Sequence, residues 1–279
     1  AWADANAAQF RAANAQEWPV PREYYRGPAA PYSDRPALIM EFLSGGTLRT
    51  RVKNQFDREG EPDTGAIAAG YAAVGRLLGQ LHTARLRDRN DRDRSGAPAL
   101  EAMLKRCANE GWCGEEARSR LQHLAESIDG GKVTFVHGDL YEQQVILGPG
   151  GHVAGFIDLD QSGFGDPASD LGQLLAHVLL LNPRTRKVSW GVPNPSAGET
   201  RAVAEALLSA YREGAGIAGD EAWTDFLRRA RGHMWLRFGH ILADLEGNPH
   251  GRPLVQALEA DKEAIAASDP LADYMVTTQ

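Results

Sequence analysis

The sequence predicts an α+β fold with a few strands at the front, a small strand cluster in the middle and helices over most of the rest. Three observations predict it. Glu23-Tyr24-Tyr25-Arg26 and Ala37-Leu38-Ile39-Met40-Glu41-Phe42-Leu43 read as two strands separated by a Gly, Pro and Asp turn region. Phe135-Val136 and Val145-Ile146-Leu147 bracket a polar turn and are followed by Gly155-Phe156-Ile157, a second set of short apolar runs. Elsewhere apolar residues return at i, i+3 and i+4, the period of a helix with one buried face.

In chain order, residues 1–16 place Trp2, Ala5, Ala8 and Phe10 at helical spacing, and Trp18-Pro19-Val20-Pro21 ends that helix. After the two front strands, Ser44-Gly45-Gly46 reads as a small flexible linker, a hinge between two lobes. This divides the chain into a front part, residues 1–46, and a larger part, residues 47–279. Residues 64–84 carry Ile67, Tyr71, Val74, Leu77, Leu78 and Leu81 on one helical face, capped by Asp63 or Thr64. Gly65, Gly70, Gly75 and Gly79 each lower that helix's propensity, so the periodicity must outweigh them. Helices are expected over residues 100–109 and 115–128, the second stopped by Asp129-Gly130-Gly131. Strands follow at 134–136, 144–147 and 153–157, the last two joined by Gly148-Pro149-Gly150-Gly151. Residues 161–167 read as a loop, and Ser169 or Asp170 as the cap of a helix through Leu171, Leu174, Leu175, Val178 and Leu179. Residues 182–198 show no period, and helices are expected at 199–213, 220–246 and 254–267.

A chain of 279 residues, 43% hydrophobic, can bury a sizeable core as one large domain or two smaller ones. A net charge of −7 and a pI near 5.6 exclude a nucleic-acid binder, which needs a basic face, and suit a cationic small substrate. The Arg/Asp run over 85–94 alternates in sign and reads as a solvated loop or helix end. Cys107 and Cys113 are too few for a disulfide framework and read as reduced thiols. No apolar run approaches a membrane span and no leader pattern opens the chain, so a soluble cytoplasmic protein without membrane partners is expected.

The chemistry concentrates where the middle strands meet. His137 precedes Asp139 by two residues, Gln144 follows it by five, and Asp158 comes a hairpin later, the order of a kinase catalytic loop and its metal-binding aspartate. Phosphoryl transfer asks for positioning and for metal ions that offset phosphate charge. Asp139 would accept or orient the substrate hydroxyl proton, and Gln144 and Asp158 would hold Mg2+ through oxygen. A lone aspartate in a turn is usually a cap, and a lone His137 usually a structural hydrogen-bonder; the joint spacing on adjacent strand ends is what points to a site. Asp166 shapes a turn, and Asp170 caps a helix and braces the catalytic loop.

His137-Gly138-Asp139-Leu140, Gly155-Phe156-Ile157-Asp158 and Gly165-Asp166-Pro167-Ala168-Ser169-Asp170-Leu171 together resemble the signature of the aminoglycoside phosphotransferase and choline kinase superfamily. Leu77-Leu78-Gly79-Gln80-Leu81-His82 resembles that family's helix before the catalytic loop, and Ile39-Met40-Glu41-Phe42-Leu43 its hinge. The resemblance implies a protein-kinase-like bilobal fold with a truncated N-terminal lobe over 1–46 and a mainly helical catalytic and substrate-binding lobe over 47–279. It implies transfer of the terminal phosphate of ATP or GTP to a small-molecule hydroxyl, with Asp139 as base and Gln144 and Asp158 as Mg2+ ligands. His137 and Asp170 would be structural supports, and Glu41, Phe42 and Leu43 would meet the nucleobase. Two departures stand out: Gln144 replaces the family's Asn, and no glycine-rich loop or strand lysine precedes the first helix, the first lysine being Lys53. The absent lobe front is expected upstream of Ala1. A non-catalytic nucleotide-binding or regulatory pseudokinase is the alternative those departures raise, with a metal hydrolase further behind.

Overall fold

The computed structural model describes residues 2–28, 36–56, 63–84, 93–94, 128, 131–179 and 197–246. It opens with α1 (Trp2–Ala15), after which Glu17 adopts a φ of +64° and drops Trp18 into the core. There the indole meets Phe156, Phe135 and His82 with ring centroids 5.2, 5.5 and 5.9 Å away, tying the front of the chain to the middle strands. β1 (Glu23–Pro28) and β2 (Pro36–Met40) then pair antiparallel, with an irregularity between Glu23 and Tyr25. The second strand ends at Met40 rather than at Leu43. The Glu41 N–H still donates to the Arg22 carbonyl at 2.8 Å, but Pro21 follows on that edge and offers no N–H to continue a ladder.

The expected linker is more regular than its glycines suggest. Gly46 and Thr47 form β3 (Gly46–Thr47), and α2 (Leu48–Phe56) starts at once, the Thr50 N–H donating to Thr47 Oγ1 at 3.0 Å. α3 (Thr64–Thr83) is capped by Asp63, whose carboxylate accepts from the Ala66 N–H at 2.9 Å. Its glycines have a purpose that propensity alone cannot reveal. A Cβ at Gly75 or Gly79 would lie 2.4 Å from the carbonyl oxygen of Leu207 or Tyr211, so the helix crosses its neighbour backbone to backbone.

Two small sheets frame the site. β4 (Asp93–Arg94), β8 (Gly163–Gly165) and β5 (Thr134–Val136) form one, with β8 central, parallel to β4 and antiparallel to β5. Residues 163–165 are therefore a strand and not part of a loop; two glycines hide the signal, and Phe164, edge-on to Phe135 at 5.8 Å, fixes the pairing. β3, β6 (Val145–Leu147) and β7 (Val153–Phe156) form the other, the β6–β7 hairpin turning through a single 3-10 turn at Pro149–Gly151.

Three helices complete the described chain: α4 (Ala168–Leu179), α5 (Ala197–Ala215), which is the neighbour crossed by α3, and α6 (Asp220–Glu246). One hydrophobic core runs from Phe10 and Trp18 through Tyr71, Leu78 and Phe135 to Leu171, Leu207 and Met234. Trp223 belongs to it, stacked on Phe226 with centroids 5.6 Å apart, and Trp235 packs against it partly buried. No helix among the described residues is long and apolar enough to cross a membrane. The helices expected at 100–109, 115–128 and 254–267, both cysteines and Trp190 lie outside the described residues.

Candidate active site

β5 and β6 belong to different sheets, and the chain between them, residues 137–144, is held by groups from α4. Asp170, wholly buried, accepts from the N–H of His137 at 2.8 Å and of Gly138 at 2.9 Å. One turn on, Gln173 accepts from the Leu140 N–H and donates to the Gly138 carbonyl at 2.9 Å. His177, another turn on, stacks on Tyr141 with centroids 4.9 Å apart and reaches Glu142 at 3.1 Å. Positions i, i+3 and i+7 share one helix face, so α4 grips the loop with a polar stripe while Leu171, Leu174, Leu175 and Val178 fill the core. Asp170 braces the loop as expected but does not cap the helix. That task falls to Asp166, which accepts from the Ala168 N–H at 3.0 Å and pairs with Arg229 of α6 at 2.8 Å.

Behind Asp170 lies a buried relay. His82 Nε2 is 3.3 Å from the Asp170 carboxylate, and His82 Nδ1 is 2.9 Å from the Tyr211 hydroxyl. A carboxylate only accepts, so Nε2 carries the proton and Nδ1 accepts from the tyrosine. Burial, followed by the Asp170 and Asp166 charges, raises the Tyr211 hydroxyl well above its ordinary value and keeps it a donor. For Asp170, burial opposes ionisation, yet the His82 hydrogen bond and the His137 main chain outweigh it and hold the carboxyl below its ordinary value.

His137 is buried and donates from Nε2 to the Ile157 carbonyl at 2.9 Å, and the Ile157 N–H donates to the Gln144 carbonyl at 3.0 Å. Those two bonds fix both main-chain groups of Ile157, just before Asp158, which has a φ of +61°, a left-handed conformation uncommon for a residue with a side chain. The Gln144 side-chain amide meets the Asp158 carboxylate at 2.7 Å. Half a turn of that amide exchanges its nitrogen for oxygen, so the two side chains together suit a hard divalent cation. Among the described residues no cluster of three His, Cys, Asp or Glu forms a metal site.

Asp139 lies 2.8 Å from Arg237 of α6. The same guanidinium lies over the Tyr141 ring, 5.8 Å from its centroid. Gly138 lets the loop pass close to the main chain of Gln161: its φ is +82°, and a Cβ there would lie 2.2 Å from the Gln161 carbonyl oxygen. The neighbouring Glu142 is buried, reached by Arg49 at 3.7 Å as well as by His177. Burial pushes its carboxyl up, but the His177 and Arg49 contacts prevail and hold it down at about 2.

Of the expected hinge residues, only Leu43 is placed against β7. Glu41 is tied to Arg22, Leu43 lies where a Cβ on Gly155 would meet its Cδ1 at 2.6 Å, and Phe42 is 87% exposed. Acidic residues of α5 and α6 are paired: Glu213 with Arg76, Asp220 with Arg212, and Asp225 with Arg228 and Arg229.

With this geometry in hand, comparison with known proteins is decisive at the level of family. The profile of the phosphotransferase enzyme family matches residues 3–217. The chain belongs to that family. No curated protein matches the sequence. Among solved structures, the aminoglycoside phosphotransferase APH(3'')-Id from Streptomyces rimosus is similar at 20% identity and a TM-score of 0.52, over 83% of this chain and 81% of that one. Amicoumacin kinase hAmiN, in complex with AMP-PNP, Ca2+ and Ami, is similar at 16% identity and a TM-score of 0.59, over 93% and 76%. A choline/ethanolamine kinase family protein from Mesorhizobium loti is similar at 17% identity and a TM-score of 0.55, over 98% and 84%. These likenesses confirm the kinase-like α+β fold.

Sequence reasoning missed Gln173, His177, Glu142 and Arg237. Gln173 and His177 carry a readable signal, since both fall on the helical face of Asp170. Arg237 carries none, being 98 residues from its partner on a helix whose charged residues look alike.

Proposed function

We propose that the chain transfers the terminal phosphate of ATP or GTP to a hydroxyl of a small molecule. The observation that carries this reading is the loop at 137–144, which carries Asp139 and sets Gln144 2.7 Å from Asp158, the charges of Asp139 and Asp158 both acting on the Tyr141 hydroxyl. Asp139 acts as the base: Arg237 engages one carboxylate oxygen, and the second accepts or orients the hydroxyl proton of the acceptor. Gln144 and Asp158 hold Mg2+, which when bound offsets negative charge on the phosphates. His137 keeps Asp158 in place through the Ile157 carbonyl, and Asp170 with Gln173 keeps Asp139 in place through the loop backbone. Glu41, Phe42 and Leu43 meet the nucleobase through their backbone, next to the β7 strand that leads to Asp158. The reading is supported by family membership and by similar folds solved with ADP and streptomycin, and with AMP-PNP and Ca2+.

The test is phosphate transfer by the full chain with Mg2+ and ATP or GTP over a panel of hydroxyl compounds. Asp139→Asn is expected to lower kcat by about 10²–10⁴-fold, the range for a positioned acid–base group. Turnover that survives unchanged in the Asn variant, or no turnover on any acceptor, rejects the reading.

A further inference from the structure

The chemistry so far leaves one arrangement unused. α6 presents Arg229, His233 and Arg237 at i, i+4 and i+8, a basic stripe facing the catalytic loop and the turn that follows β8. The first two members serve Asp166, at 2.8 and 3.9 Å. Arg237 alone faces Asp139, at 2.8 Å, with the Tyr141 ring beneath its guanidinium. Both side chains reach solvent, Arg237 at 21% and Asp139 at 28% exposure, so a bound acceptor meets the pair together.

From this we infer that Arg237 determines acceptor specificity: the acceptor presents an oxygen, as hydroxyl, carbonyl or carboxylate, beside its reacting hydroxyl, and acceptors with an ammonium at that position are disfavoured. The inference rests on the reading of Asp139 as the residue that receives the acceptor hydroxyl. The physical reason is charge. A carboxylate standing alone would attract a cationic acceptor, but Asp139 is already balanced by Arg237, so an ammonium docked next to it meets a fixed positive group at close range. An oxygen in the same place accepts from the solvent-facing part of the Arg237 guanidinium. The other carboxylates of the loop do not restore an attraction, because Glu142 is buried between Arg49 and His177. Those of α5 and α6 at Glu213, Asp220 and Asp225 pair with arginines.

The experiment measures equilibrium binding to the full chain, with Mg2+ and a non-hydrolysable ATP analogue present, of acceptors matched except for charge: glucose against glucosamine, galactose against galactosamine, and gluconate as the anionic arm. The oxygen member of each pair is expected to bind about tenfold or more tightly than the ammonium member, the scale of a like-charge clash at an interface. Arg237→Gln is expected to bring the pair within about threefold, and Arg237→Lys, which keeps the charge, to retain the bias against ammonium. Melting curves of both variants establish that the fold is intact, and the lysine variant decides the matter if glutamine unfolds the chain. Tighter binding of the ammonium member, an unchanged ratio in Arg237→Gln, or binding of neither member of any pair overturns the inference. Phosphate transfer dependent on Asp139 is scored separately. Transfer to an amine-bearing acceptor in preference to its oxygen counterpart removes this inference and leaves the phosphotransferase reading standing. Selective oxygen binding without any transfer does the reverse.

Discussion

Glu142 shows how much of the site depends on single buried charges. Its carboxyl is held at about 2 against an ordinary 4.5. A carboxyl depressed on folding contributes stability that is fully present above the unfolded value and is lost as pH falls through the folded one. The window here is pH 4.5 down to 2, and the shift corresponds to about 3 kcal/mol. Glu142→Gln lacks that titration. Urea unfolding of both proteins, followed from pH 5 toward pH 2, is expected to show the wild type losing about 3 kcal/mol more than the variant; parallel loss in the two would show that the Arg49 and His177 contacts contribute nothing to ionisation. At this scale the sequence was informative about residue type and silent about pairing. The spacing of His137, Asp139, Gln144 and Asp158 picks out the loop, because local spacing survives folding. That Gln144 meets Asp158, and that Arg237 meets Asp139, depends on how the side chains turn and where α6 lies.

At the scale of elements, α3 and α4 carry the lesson. The four glycines of α3 look like weak points, and on propensity an alanine at Gly79 should add up to about 1 kcal/mol. The close crossing with α5 reverses the sign. With the Tyr211 carbonyl 2.4 Å from the new Cβ and the Ala215 nitrogen 2.5 Å away, Gly79→Ala is expected to destabilise by about 1–3 kcal/mol, as overpacking does, read as a lower urea midpoint. A raised midpoint would mean that the two helices separate without cost. α4 teaches the converse. Its apolar face was legible from period alone, yet the adjoining stripe, Asp170, Gln173 and His177, is the clamp on the loop at 137–144. The helices of residues 199–213 and 220–246 were also legible, to within a turn of α5 and α6. β8 was not, because Gly163 and Gly165 read as turn residues and only a neighbouring strand makes them a strand.

At the scale of the whole molecule, one core joins α1 and Trp18 to the helices that hold the loop, so ligand binding at the site should register in global stability. Mg2+ with ATP at about a hundred times its Kd is expected to stabilise by about 2.7 kcal/mol and raise Tm by roughly 5–10 °C for a chain of this size. Asp158→Ala is expected to lose most of that rise while keeping the melting temperature of the ligand-free protein within a few degrees; an undiminished rise would remove Asp158 from the metal site. By itself the sequence determined the α+β class, the long helices among the described residues, the loop at 137–144 to which its motifs point and the family to which these motifs belong. These follow from period, turn chemistry and local spacing, which the chain holds before it folds. Only the tertiary structure decided what stands around Asp139. The ion pair to Arg237, the clamp from α4, the bonds that tie Ile157 to His137 and Gln144 and the close crossing at Gly75 and Gly79 each join parts of the chain far apart in sequence, and such distances are settled by packing, not by any pattern along the chain.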